Sequence, residues 1–256
     1  MSWCDKLAST PGVGVRFNKI FAPAATQMAA ITPLVSKWVD DKGRQAFTLD
    51  QQDAFGFQLT TNDGFGYLVN PEYITVDFKY RLRLQNRSAQ PPTLEMMSRP
   101  APYTEVLPEI SRRLIEVVKP IIGAIPRTLV GIGVISTTVV SESEAPPGIR
   151  RFLEHVARPW SASLSAYNLH LTADLAGKKD GGAKDRCTHT LTKSEEGDDN
   201  FLTIRLDWMR TFDEKKPPPF STLEEQLKLA QKEALEYFED IGQGDRFDEN
   251  IRNARS

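Results

Sequence analysis

The residues best placed to do chemistry are Lys79, Arg81 and Arg83. They alternate along Ile74–Leu84 with Ile74, Val76, Phe78, Tyr80, Leu82 and Leu84. A period of two sends the basic set to one face of a strand and the apolar set to the other. Guanidinium groups in such a row can hold a phosphate or carboxylate bidentately. Arg205 shares the polar side of a second strand with Thr203 and Asp207, and His170 shares the polar side of a third with Asn168. If the three strands lie in one sheet with polar faces aligned, Lys79, Arg81, Arg83, Arg205 and His170 form a partly basic ligand-binding surface. A plainly solvated sheet face, with Lys and Arg discouraging edge pairing, accounts for the same pattern.

Other constellations are weaker, and no catalytic or metal-ligating set emerges. The three histidines, His155, His170 and His189, have no helical or hairpin metal spacing. No Gly-x-Ser-x-Gly elbow occurs. Cys187 neighbours Arg186 and His189, which would favour a thiolate, but a buried thiol is the commoner state of a free cysteine. Gly12-Val13-Gly14 lacks the third glycine of a dinucleotide fingerprint and reads as a loop before a strand. Gly131 and Gly133 sit inside a strand and read as a bulge or a close helix contact. Glu195–Asp199 lacks calcium-loop spacing. Glu233, Glu236, Glu239 and Asp240 read as a solvated helix face. Lys215–Phe220 reads as a rigid linker before a helix. No cofactor is expected.

The elements that would position these residues follow from periodicity. A strand is expected at Val13–Phe17, then a helix over Ala24–Val39, with Pro33 imposing a kink or a late start. Strands follow at Gln45–Leu49, Phe55–Thr60, Phe65–Val69 and Ile74–Leu84, with Asn62-Asp63-Gly64 as a turn. A helix runs from about Tyr103 to Ile122, ended by Pro120 and Gly123. The second half gives a strand at Thr128–Val140, a short helix to Ala157, strands at Leu164–Leu175, Arg186–Lys193 and Phe201–Phe212, and a helix over Thr222–Ile241. Ser221-Thr222-Leu223-Glu224 has the capping-box pattern. This order gives an α+β fold: a curved antiparallel sheet with long helices on one face, in two β-α-β-α halves, 1–126 and 127–256, that can form one continuous domain.

Composition bounds the function classes. The chain has 256 residues, a formal net charge of −2, and only Cys4 and Cys187 as cysteines. No global field draws it to nucleic acid or anionic membrane, and two distant cysteines make no disulfide framework. The first residues lack a signal-peptide core. Leu129–Val140 is too short to span a bilayer. A cytoplasmic protein is expected, without membrane attachment.

Phe201-Leu-Thr-Ile-Arg-Leu-Asp207-Trp-Met-Arg-Thr-Phe212, followed by a Pro-containing loop and the helix ending Ala234-Leu-Glu-Tyr-Phe238-Glu-Asp-Ile, resembles a segment of a widespread bacterial and archaeal family without an assigned function. Those proteins share a leucine-aspartate strand before a terminal helix with a late aromatic, and some occur near phage-defence or mobile genes. The element order is also similar to the duplicated TATA-binding-protein and helix-grip folds, and a fold does not fix a function. The absence of a catalytic constellation favours a non-catalytic binding or interaction protein that meets a protein partner or a second copy through its polar sheet face; the resemblance implies no catalytic residues and adds an accessory role in a prokaryotic defence or mobile-element system. Two alternatives remain: an enzyme acting on an anionic small molecule at a site such as His170, Arg205 and Asp207, and a nucleic-acid-binding protein.

Overall fold

The computed structural model describes residues 9–53, 55–78, 82–85, 93–96, 103–125, 127–158, 166–175, 183–193 and 201–244. Its centre is a curved, open sheet of nine antiparallel strands, so the α+β expectation holds. The strands are β1 (Ser9–Phe17), β2 (Phe47–Asp53), β3 (Gly56–Thr61), β4 (Phe65–Val69), β5 (Tyr73–Phe78), β8 (Leu129–Ser141), β9 (Tyr167–Leu175), β10 (Lys184–Lys193) and β11 (Phe201–Thr211). Their order is β2-β3-β4-β5-β1-β8-β11-β10-β9, so the two halves meet at β1 and β8 in the middle. Strands β6 (Leu82–Gln85) and β7 (Thr93–Met96) form a separate two-stranded sheet.

Alternation explains which face is dry. Val13, Val15, Ile74, Val76, Ile132, Val134, Leu206 and Trp208 are buried on one side. Each large aliphatic side chain removed from water in this way contributes roughly 1.5–3 kcal/mol. Four helices among the described residues cover that side: α1 (Ala24–Lys42), α2 (Tyr103–Ala124), α3 (Pro147–Ala157) and α4 (Leu223–Gln243). Helix α2 packs on β1 and β5, and α4 on β8 and β11. The apolar stripe of α2, from Val106 through Ile110, Leu114 and Val117 to Ile121, is buried as its spacing requires. The two long helices also touch each other, where the Gln231 amide of α4 bonds Ser111 and the Leu107 carbonyl of α2. Helix α1 packs on α2, and α3 on α4.

Local expectations fail at four places. The expected strand Ile74–Leu84 is seen in two parts, β5 to Phe78 in the central sheet and β6 from Leu82 in the two-stranded sheet, with Lys79–Arg81 outside the described residues. The last pair with β4 is Phe65–Phe78, and the last with β1 is Gly12–Asp77, beyond which Pro11 has no amide hydrogen to donate. Gly12-Val13-Gly14 lies inside β1 rather than in a loop before it. Helix α2 continues through Pro120 to Ala124, whereas α1 starts at Ala24 as expected and includes Pro33 without a late start. The capping box does not form: a 3-10 turn over Phe220–Thr222 precedes α4, and the Thr222 hydroxyl donates to the Pro219 carbonyl instead.

Candidate functional site

The face of the sheet turned away from the helices can be read row by row from the pairing. One row runs His170, Thr190, Arg205, Thr137, Thr10. The next runs Thr172, Thr188, Asp207, Ile135, Gly12, Asp77. The third runs Asp174, Arg186, Met209, Gly133, Gly14, Thr75. Towards β9 this face is a lattice of threonines. At the β1–β8 seam it is floored by glycine.

That glycine floor opens a trough of about 340 Å³. Gly14, Gly131 and Gly133 form its base, and Ile135, Met209, Thr75 and Tyr73 line it. Arg16 and Glu72 line it near the start of β5, and Asp207 lines it on β11. A mostly apolar hollow with a few polar groups is the usual character of a binding site. The Asp207 carboxyl is half-buried, and burial pushes it above the usual carboxylate range against the pull of Arg205. The Arg205 guanidinium reaches it at 3.7 Å from an exposed position.

The glycines differ in what the fold demands of them. A Cβ on Gly14 would stand 2.6 Å from Thr75 Cγ2, and one on Gly131 would stand 3.0 Å from the Arg210 carbonyl oxygen, so close strand approach accounts for both. Gly133 is not explained in that way. Its nearest neighbour to an added Cβ is the Trp208 carbonyl oxygen at 3.9 Å, ordinary contact, and its backbone is not left-handed. It faces away from the helices in an unbroken register with Met209 and Gly14. The bulge expected at these glycines lies nearby, where the register of β1 and β8 shifts between Arg16 and Phe17.

Of the basic surface, Arg205 and His170 share a row on the open face, two strands apart, or roughly 10 Å at the usual strand spacing. Arg83 lies on β6, in the two-stranded sheet rather than the sheet that carries Arg205. Lys79 and Arg81 lie outside the described residues. On the described open face Arg186 pairs with Asp174 at 2.7 Å and Arg205 with Asp207, while Arg16 and Lys184 are exposed there. His155 is exposed on α3. His189 points into the helix layer, where Nε2 stands 3.0 Å from the Tyr237 hydroxyl and burial pushes its pKa down to about 4. Cys187 is fully buried, as a core thiol would be.

Sequence reasoning missed Gly133, Ile135, Met209, Tyr73 and Arg16. The signal was present in the two Gly-x-Gly pairs, Gly12–Gly14 and Gly131–Gly133. Period two puts both glycines of each pair on one face. That the faces coincide depends on β1 pairing with β8, a contact between residues more than a hundred positions apart. Among the described residues no group of His, Cys, Asp and Glu side chains has the arrangement of a metal site. No helix among them is long and apolar enough to cross a membrane. No protein-family model matches the chain, and no curated protein matches it.

Proposed function

We propose that the protein is a non-catalytic binding protein that receives a partner protein on the open sheet face, with one apolar side chain of the partner seated in the trough. The observation that carries this reading is Gly133. Glycine inside a strand costs about 0.5–1 kcal/mol relative to a residue with a side chain, and neither sterics nor backbone conformation calls for glycine here. What the glycine provides is room beside Ile135 and Met209. The threonine rows, Arg205 and His170 surround that room with hydrogen-bonding groups suited to a polar rim. An accessory role in a prokaryotic defence or mobile-element system is what the resemblance of Phe201–Phe212 adds.

The enzyme alternative has less support. His170 and Arg205 do not line the trough, and Asp207 alone among the three expected residues does so with altered protonation. The nucleic-acid alternative has less support because the net charge is −2 and Arg186 and Arg205, in the middle of this face, have acidic neighbours.

The test fills the trough. Gly133→Leu should leave the fold intact and stability within about 1 kcal/mol of the original. Gly123→Leu, at a helical position with open space around it, is the control. Proteins captured from native-host lysate by the wild type and the Gly123→Leu variant should be lost from Gly133→Leu. Equal capture by all three chains removes the trough from the interface.

A further inference from the structure

The sheet is open, so it has two edges, and they are built differently. Strand β2, at one edge, is exposed along nearly its whole length. Its register breaks between Leu49 and Gln51, and Asp50 and Asp53 are engaged locally with Thr60 and Gln51. A bulge and acidic side chains are the devices by which natural sheets prevent edge-to-edge association. Strand β9, at the other edge, has no bulge, and its one acidic side chain, Asp174, is taken up by Arg186 of β10. Its nine residues, Tyr167-Asn-Leu-His-Leu-Thr-Ala-Asp-Leu175, keep an unbroken register with β10. They contain neither Lys nor Pro, and among the described residues they pair on one side only. On the helix side Leu169, Ala173 and Leu175 are only partly buried, and Leu171 is 41% exposed. The apolar layer therefore reaches the edge without being closed.

We infer that β9 is a docking strand for a second copy of this chain, pairing antiparallel about a two-fold axis through Leu171 and joining two sheets into one of twice the width. The pairing that uses all nine residues is self-complementary. It sets Leu171 against Leu171 of the second copy, Leu169 against Ala173, and Tyr167 against Leu175, which continues the apolar layer across the axis. On the open face it sets His170 against Thr172, and Asn168 against Asp174, whose carboxylate can accept from the amide. No like charges meet. The corresponding pairing of β2 with itself places Asp50 opposite Asp50, a repulsive cross-strand pair. A β2–β9 contact would be head-to-tail and would grow filaments; the bulge in β2 opposes it. The chain is thus furnished for one closed, symmetric contact. This inference is independent of the trough at Gly133.

The experiment compares the two edges of the full chain by sedimentation velocity over a concentration series. The wild type should self-associate to a dimer. Leu171→Lys, which puts two ammonium groups on the axis, should weaken the dimer about tenfold or more. Leu49→Lys, the same change at a position 54% exposed on β2, should leave it unchanged. Circular dichroism checks that each variant folds. Should Leu171→Lys fail to fold, cysteine pairs decide: in a Cys4→Ser background, with Cys187 buried, Leu171→Cys should give a disulfide-linked dimer on mild oxidation and Leu49→Cys should not. A wild type that stays monomeric throughout overturns the inference. So does a dimer indifferent to Leu171→Lys, or cross-linking at Leu49→Cys in place of Leu171→Cys.

Discussion

The two halves of the molecule fasten their helices to the sheet by different chemistry. In the first half the contacts are largely aromatic, with Arg113 of α2 also bonding Asp63 in the β3–β4 turn. Trp38 of α1 meets Phe47 and Tyr67 edge-on at 5.1 Å each, Phe65 meets Phe78 at 5.1 Å, and the Arg113 guanidinium of α2 lies 3.8 Å above the Phe65 ring. In the second half the contacts beneath α4 include buried polar groups. Arg210 of β11 bonds both oxygens of Asp185 at 2.8 Å and also bonds Glu233 of α4. His189 of β10 meets Tyr237 of α4. Aromatic packing draws its free energy from area removed from water and is indifferent to protonation. A buried ion cluster is strongly coupled to its members, because losing one leaves another charged and unsolvated. The same architectural task therefore leans on packing and on carboxylates held below their usual range on one side, and on a buried histidine and ion cluster on the other.

Four measurements would break or sharpen that contrast. The largest effect is expected from Trp38→Ala, which leaves an aromatic-sized hole under α1 and should cost about 3–5 kcal/mol in urea unfolding. No polar substitution elsewhere should recover it. Arg210→Met should cost about 3–4 kcal/mol by stranding Asp185 and Glu233. Unlike the tryptophan variant, it should regain much of that loss when combined with Asp185→Asn and Glu233→Gln. A triple variant as unstable as the single one would mean that Arg210 acts through packing and not through charge.

The third measurement uses pH. His189 has its pKa lowered to about 4 in the folded chain, against about 6.5 when unfolded. Above pH 6.5 both states are neutral and the linkage contributes nothing. Between 6.5 and 4 the unfolded chain takes up the proton and the folded chain does not, so stability falls as pH falls, by about 3 kcal/mol at most. His189→Gln should flatten the stability profile in that window. Glu109, on α2 in the first half, behaves differently. Hydrogen bonds from Arg112, then Arg113, hold its carboxyl down to about 2, so its contribution persists until the pH falls from about 4.5 towards 2. Hydrogen exchange at pH 5 should therefore show β10 and α4 opening before α1 and α2. Uniform protection across both halves would erase the proposed difference. The smallest effect is that of Gly133→Leu on stability, within about 1 kcal/mol. A much larger loss would mean that the seam itself requires glycine there.

The elements that rest on local periodicity were readable in the sequence. The stripe Val106–Ile121 sets α2, and the alternation of Phe201–Phe212 sets β11 within a residue of its end. Where the sequence misleads, a partner decides. Ile74–Leu84 alternates perfectly, yet its first part, β5, lies in the central sheet and its last residues, in β6, pair with β7 in a second sheet, and nothing in the alternation records which partner each part takes. Proline at 120 does not stop α2, where Ile121 is buried in the core beyond it and tertiary packing outweighs one lost hydrogen bond. The site was legible only in part. The polar side of β11 and β9 was readable, with Arg205, Asp207 and His170. The trough was not, because its walls come from four strands, β5, β1, β8 and β11, and only the order of those strands brings Tyr73, Gly14, Gly133 and Met209 together.

The central seam also sets a timetable for the nascent chain. Strands β2 to β5 and β1 lie within the first 78 residues, so a five-stranded sheet can assemble as soon as they leave the ribosome. Its β1 edge then waits for β8, whose last residue is Ser141. At ordinary elongation rates that wait is on the order of 10 s. During it, Val13, Val15 and the glycines beside them present an unpaired strand that later becomes the middle of the sheet. The interval is long compared with the microseconds in which hairpins form.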